Sequence, residues 1–245
     1  MAELPALRHR LGALTQARVL LGRAGQSMPT RALLDFQLDH ARARDAVQTS
    51  LDVAALGAAI GRPLTVVRSQ ARDRTDYLRR PDLGRLLHQN DAALIPETRD
   101  MLAIVIADGL SATAVQAHAA PLIAALVARL PDWTIAPLVV GLRARVALGD
   151  DIGEALGADL SVVLIGERPG LSAHDSLGAY LTWAPHRGRR DSERNCVSNI
   201  RPPHGLSYAA AADTIVALLR AARHQQLTGV GLKEGAVSLP RPDHA

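Results

Sequence analysis

The strongest constraint on this chain is a rhythm in its second half, where short unbroken apolar runs alternate with longer segments of helical spacing. Met101–Ala107 is a continuous apolar run of the kind shown by a strand buried on both faces. Ser111–Leu130 is apolar-rich and long enough for a helix, which Pro121 must kink or split in two. Thr134–Val140 predicts a second strand, followed by a loop and a short helix from about Asp150 to Leu156. Leu160–Ile165 and Leu177–Trp183 predict a third and a fourth strand, and a closing helix runs from about Ser207 to Gln226. Strands alternating with helices predict a parallel sheet covered on both faces. The expected fold class is α/β, a Rossmann-like three-layer domain over residues 96–245.

The first half reads differently. Residues 1–25 alternate short apolar stretches with Arg and Gly and predict at most a marginal helix. Ser27-Met28-Pro29-Thr30 looks like a helix start, with Thr30 or Ser27 as N-cap. From Arg31 to Thr49, Leu33, Leu34, Leu38, Ala41 and Val47 roughly follow helical spacing. Asp52–Ile60 predicts a short helix ended by Gly61 and Pro63, and Leu64–Arg68 a short strand. Residues Arg62–Arg85 hold seven Arg and three Asp. This is either a solvated helix-loop face or a docking surface for an acidic partner or phosphate. His88–Asp100 is polar, contains Pro96 and reads as a linker, which places the boundary of a small, mostly helical N-terminal domain near residue 95.

Composition excludes several classes. With 245 residues, 48% hydrophobic and 21% charged, the chain has the makeup of an ordinary globular protein. Aromatics are scarce, so the core must be built from Ala, Leu, Val and Ile. A net charge of +4 and a pI of about 9.9 admit a nucleic-acid partner through Arg62–Arg85. The base-stacking platforms of single-strand binders are nearly absent. Lone Cys196 excludes an intramolecular disulfide and a multi-Cys zinc site, and suits a reducing compartment. No apolar stretch reaches membrane-spanning length and no signal-peptide pattern opens the chain. A soluble, intracellular protein is expected.

In open α/β sheets, ligands bind outside the carboxyl ends of the strands. Here those loops are Asp108–Leu110, Gly141–Asp150, Gly166–Ser176 and Ala184–Arg201, and they hold most of the unusual polar residues. Asp108-Gly109-Leu110-Ser111 sits at a strand-to-helix junction, as a helix cap or as a seat for an anion. Gly166-Glu167-Arg168-Pro169-Gly170 makes a tight turn, although a bare turn needs neither Glu nor Arg. Cys196 is a small buried hydrophobe or part of a site. There is no G-x-G-x-x-G after the first strand, no Walker A sequence, no H-E-x-x-H and no G-x-S-x-G. Residue chemistry thus reaches an α/β ligand-binding domain behind a basic helical segment.

Five segments carry a resemblance that goes further. They are Ser27–Ala46, Tyr77–Gly84, Val105–Ala114, Leu164–Ser172 (Leu-Ile-Gly-Glu-Arg-Pro-Gly-Leu-Ser) and Arg194–Pro202 (Arg-Asn-Cys-Val-Ser-Asn-Ile-Arg-Pro). Over roughly residues 10–235, in the same order, the chain resembles the small subunit of the adenosylcobalamin-dependent ethanolamine ammonia-lyases. The resemblance implies a radical deamination of ethanolamine to acetaldehyde and ammonia. It also implies a TIM-barrel large subunit that carries the catalytic residues, and an assembly of six large and six small chains with cobalamin between the subunits. The family's cofactor-binding positions fall on Val146, Glu167 and Cys196, with no catalytic and no metal-ligating residue on this chain. The Asp-x-His-x-x-Gly signature that puts a His on cobalt is absent, since Ser172 stands two residues before His174. The cofactor's own base is therefore the expected lower ligand. A cytoplasmic location is implied, in some members inside a bacterial microcompartment. The stretch before the recognisable region is short here, where some members carry a longer extension.

Overall fold

The computed structural model describes residues 21–98 and 101–232, with isolated positions before residue 21. The marginal helix expected within residues 1–25 lies largely outside the described residues.

Helix α1 (Thr30–Gln48) begins one residue after Pro29, which occupies the cap position without a side-chain cap bond. Neither Ser27 nor Thr30 caps it. Helix α2 (Val53–Ile60) is held at its start by Asp52, whose carboxylate accepts from the Ala55 amide, and at its end by Gly61 in the left-handed region. Strand β1 (Leu64–Arg68) and the short helix α3 (Arg74–Arg79), capped by Asp73, follow. Then come β2 (Leu102–Ala107), α4 (Ala112–Arg129), β3 (Leu138–Leu142), α5 (Leu148–Leu156) and β4 (Leu160–Gly166). Strands β5 (Leu177–Trp183) and β6 (Arg194–Ile200) and helix α6 (Tyr208–Gln225) complete the described elements.

All six strands form one sheet in the order β1-β3-β2-β4-β5-β6. Strands β1, β3, β2 and β4 run parallel, whereas β5 and β6 are antiparallel to their neighbours. The sheet is thus mixed, not the all-parallel sheet expected. The reversal fits the connection: no helix separates β4 from β5, and a parallel return needs a crossover of about a dozen residues or more, usually a helix. Strand β6 is a second departure, because its residues lie in what reads as the loop Ala184–Arg201. Its side chains are mostly polar and three of its seven positions are exposed, as on an edge strand, so it lacks the apolar run by which β2 and β4 announce themselves.

Side chains along β2 divide by period two. Leu102, Ile104 and Ile106 pack with α2, α4 and α6 on one face, while Ala103, Val105 and Ala107 pack with α5 on the other. Pro121 does not divide α4, which is one helix from Ala112 to Arg129. Four large side chains of that helix, Val115, Leu122, Ile123 and Leu126, are almost wholly buried on both sides of the proline. Each contributes about 1.5–3 kcal/mol, which outweighs the roughly 3 kcal/mol cost of an interior proline.

Strand β1 pairs with β3 from Leu64↔Leu138 to Arg68↔Leu142, so the first 95 residues supply an edge strand to the sheet of the second half. The polar stretch from His88 packs as a 3-10 turn over Gln89–Leu94. Its buried Asp91 takes a two-pronged bond from Arg68, at 2.9 and 2.7 Å. Other arginines of the basic segment are also engaged within the chain: Arg72 with Asp76, Arg80 with Asp82, and Arg74 with the carbonyls of Val47 and Gly109. Of the two readings of Arg62–Arg85, this leaves little free charge for a phosphate partner. Among the described residues no helix is long and apolar enough to cross a membrane.

Candidate functional site

The crossover from β2 through α4 leads to β3, and the one from β3 through α5 passes back to β4 on the other side of β2. Helix α4 leaves the carboxyl end of β2 and α5 that of β3, on opposite faces of the sheet, and a crevice opens between the carboxyl ends of β2 and β4 where the two crossovers diverge. Its floor is backbone packed on backbone. Gly109 adopts φ +59°, and a Cβ on it would stand 2.2 Å from the Gly166 carbonyl oxygen. A Cβ on Gly166 would stand 2.0 Å from the Ser111 carbonyl oxygen, and the Leu110 amide donates to Gly166 at 2.9 Å. Only glycine fits at either position.

Asp108 braces the crevice from below. Its carboxylate accepts from the Arg143 amide at 2.8 Å and the Ala144 amide at 2.9 Å, with the Arg74 guanidinium at 3.9 Å. Burial pushes its carboxyl above the usual range, against those donors. Ser111 caps α4 by accepting from the Ala114 amide at 3.2 Å, and its hydroxyl donates to the His174 carbonyl at 2.8 Å. Of the two readings of Asp108–Ser111, the capped helix is the one these bonds describe.

Above this floor lies a cleft of about 430 Å³ lined by Tyr77, Leu110, Arg145, Val146, Ile165, Gly166, Glu167, Arg168, Tyr180 and Ser198. Val146 comes from the loop after β3, half-buried against the α5 side of the core. Glu167 follows β4 directly. Its Oε2 accepts from the Ser176 hydroxyl and its Oε1 from the Ser198 hydroxyl, each at 2.5 Å, and the Asn199 amide reaches Oε2 at 3.4 Å. The Glu167 side chain lies over Gly178, where a Cβ would come within 2.8 Å of Oε1.

Cys196 is not among the lining residues, and it sits on strand β6 instead of in a loop. It is the cross-strand neighbour of Tyr180, and the thiol and phenol influence each other's ionisation. Period-two alternation puts Cys196 and Ser198 on one face of β6, and both are exposed. Partial burial of the sulfur pushes the Cys196 thiol up, with Tyr180 opposing. The Tyr180 phenol is also raised, first by burial and then by Cys196. Val146, Glu167 and Tyr180 thus come to one cleft from the loop after β3, the turn after β4 and strand β5, while Cys196 stands beside Tyr180 on β6 outside the lining.

Tyr77, Arg145, Tyr180, Ser176 and Ser198 escape a reading of motifs. Tyr77 is fully buried, with its phenol pushed up to about 12 by burial. Its hydroxyl donates to the Ala144 carbonyl at 3.1 Å, and the Arg74 and Arg145 guanidiniums lie over its ring at 4.7 and 4.3 Å. Tyr77 and Ser198 fall within segments that carry the resemblance, which was the available signal. Among the described residues no group of three or more His, Cys, Asp or Glu is placed to hold a metal ion.

Fold and cleft together define a mixed-sheet α/β protein with a polar crevice at the carboxyl edge of its parallel strands. The family model described as ethanolamine ammonia-lyase light chain matches residues 6–233. The chain is 57% identical over 241 residues to the ethanolamine ammonia-lyase small subunit of Bradyrhizobium diazoefficiens, covering 94% of this chain and 92% of that one. It is 52% identical over 239 residues to the small subunit of Azotobacter vinelandii, covering 93% and 88%. The small subunit of Rhodopseudomonas palustris is 54% identical over 239 residues, covering 91% and 88%. The chain belongs to the ethanolamine ammonia-lyase light-chain family.

Proposed function

We propose that this chain works as the cofactor-holding small subunit of an ethanolamine ammonia-lyase and, with a large subunit, secures adenosylcobalamin at the carboxyl edge of its sheet. The observation that carries this reading is the convergence of Val146, Glu167 and Tyr180 on one cleft, with Cys196 next to Tyr180 on the neighbouring strand.

The residues present fit such a group. Pockets for drug-sized ligands run about 300–1,000 Å³, and cobalamin is several times larger than such ligands. A cleft of about 430 Å³ therefore suits one edge of the molecule and leaves the remainder to a second surface. Val146 offers an apolar contact to a corrin rim. Three donors already meet the Glu167 carboxylate, and a carboxylate has about four lone-pair sites, so one remains for an amide N–H or a ribose hydroxyl. Cys196 lines the adjoining wall. Arg145 Nε is buried with no hydrogen-bond partner, a donor left for something not in this chain.

When bound, the cofactor supplies cobalt–carbon homolysis and so the radical that starts the deamination of ethanolamine to acetaldehyde and ammonia. This chain's residues orient that group and keep water from its buried edge. The catalytic residues are assigned to a TIM-barrel large subunit, in an assembly of six large and six small chains in the cytoplasm. Residues 96–245 form the cofactor-contacting part, to which residues 1–95 add an edge strand and Tyr77.

Co-expression tests the reading. The large subunit with this chain is expected to retain a red corrinoid spectrum and to release acetaldehyde from ethanolamine, and the large subunit alone to do neither. Full deamination by the large subunit alone would overturn it.

A further inference from the structure

Most arginines near the cleft have a partner inside the chain. Arg74 meets Asp108 and two backbone carbonyls, Arg143 donates to the Ala71 carbonyl at 2.7 Å, and Arg201 pairs with Asp175. Two arginines that line the cleft break this pattern. Arg145 is anchored by its stacking on Tyr77 and by a 3.0 Å bond from Nη2 to the Tyr77 carbonyl, yet no carboxylate meets it and its Nε is orphaned. Arg168 follows Glu167, is exposed, lines the same cleft and makes no hydrogen bond or ion pair. Glu167, the single carboxylate of the lining, is occupied by two serine hydroxyls and a backbone amide. The lining thus holds two guanidiniums against one carboxylate whose lone pairs are largely taken, a net positive charge, and a guanidinium offers a fork of donors that suits a phosphate or carboxylate.

We infer that Arg145 and Arg168 form an anion subsite for a phosphodiester, and, resting on the cofactor reading above, that they take the phosphodiester joining cobalamin's nucleotide base to its corrin. Arg145, preset by Tyr77, supplies the fixed donor on one side. Arg168, free to move, closes from the other. Cobalamin's amides are neutral, so this phosphodiester is the one anionic group it offers to such a pair.

The experiment compares two corrinoids on the complex of large and small subunits: cyanocobalamin, and dicyanocobinamide, which lacks the nucleotide loop and its phosphate. Binding is followed by absorbance under equilibrium dialysis. Arg168→Ala is expected to weaken cyanocobalamin binding about tenfold or more, the scale of a lost charge-assisted bond, and to leave cobinamide within about twofold. Arg168→Lys, which keeps the charge without the fork, is expected to recover part of the loss. Arg145→Met should act in the same direction, with thermal melting to confirm that the Tyr77 contact has not collapsed. Equal losses for both corrinoids, or none for either, would overturn the subsite. Weakened association of the two subunits without corrinoid would instead assign Arg168 to a carboxylate of the large subunit, which also overturns it. If Glu167→Ala leaves both affinities unchanged, the cofactor reading itself fails. Loss of both affinities in Glu167→Ala, with no discrimination in Arg168→Ala, removes the subsite alone.

Discussion

Ser198 of β6 donates to Oε1 of Glu167, 31 residues earlier in the chain, at 2.5 Å, and thereby ties the edge of the sheet to the turn that follows β4. Ser176 holds the other carboxylate oxygen from the opposite side. An exposed turn would let a glutamate sample many rotamers. Here two hydroxyls and the bare surface of Gly178 fix one, which is the pre-ordering that a residue meant to meet a large rigid ligand requires.

Glu167→Ala should therefore act on the cofactor and not on folding. In the two-subunit complex we expect about a tenfold loss of cobalamin affinity and a melting temperature within about 3 °C of the parent. Ser176→Ala/Ser198→Ala, which leaves the carboxylate but frees it, should give a smaller loss in the same direction. Unchanged affinity in Glu167→Ala would remove Glu167 from the cofactor site.

Gly166→Ala should act on folding. Its Cβ would stand 2.0 Å from the Ser111 carbonyl oxygen and 2.6 Å from the carbon, and neither is the end of a flexible side chain. We expect a loss of about 3 kcal/mol or more, read as a lower urea midpoint with an unchanged slope. Gly170→Ala, where a Cβ would meet nothing nearer than 3.8 Å and φ is not in the left-handed region, should cost less, which isolates the collision as the cause.

Arg194 and Asp150 are each 2% exposed and joined by two bonds of 2.5 and 2.6 Å, linking β6 to α5. Removing one partner strands a buried charge, so Arg194→Met should cost about 3–5 kcal/mol. Arg194→Met/Asp150→Leu should recover much of that, because no charge is left behind. Additive losses in chemical denaturation would count against the pair as the cause.

His118 on α4 is buried, with Nδ1 2.9 Å from the Tyr208 hydroxyl and Nε2 3.9 Å from Asp175, which in turn holds Arg201. Burial lowers its pKa below the ordinary 6.5, against the pull of Asp175. The unfolded chain then binds this proton at a higher pH than the folded one. Stability must rise with pH across that interval and fall as pH drops from about 7 through 6.5, by at most about 1.4 kcal/mol per unit. Melting temperatures of wild type and His118→Gln between pH 5 and 7.5 should show a shallower slope in the variant. Parallel slopes would mean that another group carries the dependence.

The sequence by itself determined the elements whose signal is local. Strands β2, β4 and β5 stand where apolar runs predict them, because a strand buried on both faces must be apolar throughout. Ser111 caps the helix it precedes, and Gly61 ends α2, since each acts on backbone only a few residues away. The family was legible too, in segments such as Leu164–Ser172 and Arg194–Pro202. Tertiary structure decided what depends on residues far apart in the chain. Whether β5 runs parallel or antiparallel depends on pairing with β4, not on its own composition. β6 is a strand because β5 offers it a ladder, and α4 survives Pro121 because the sheet and α6 bury both of its halves. Glu167 was visible as an unexplained acid in a turn. Arg168 stood out beside it as a charge the turn does not need, but Ser176 and Ser198, which orient Glu167, and Arg145, left without a carboxylate, became recognisable only once separate loops and strands met at one crevice.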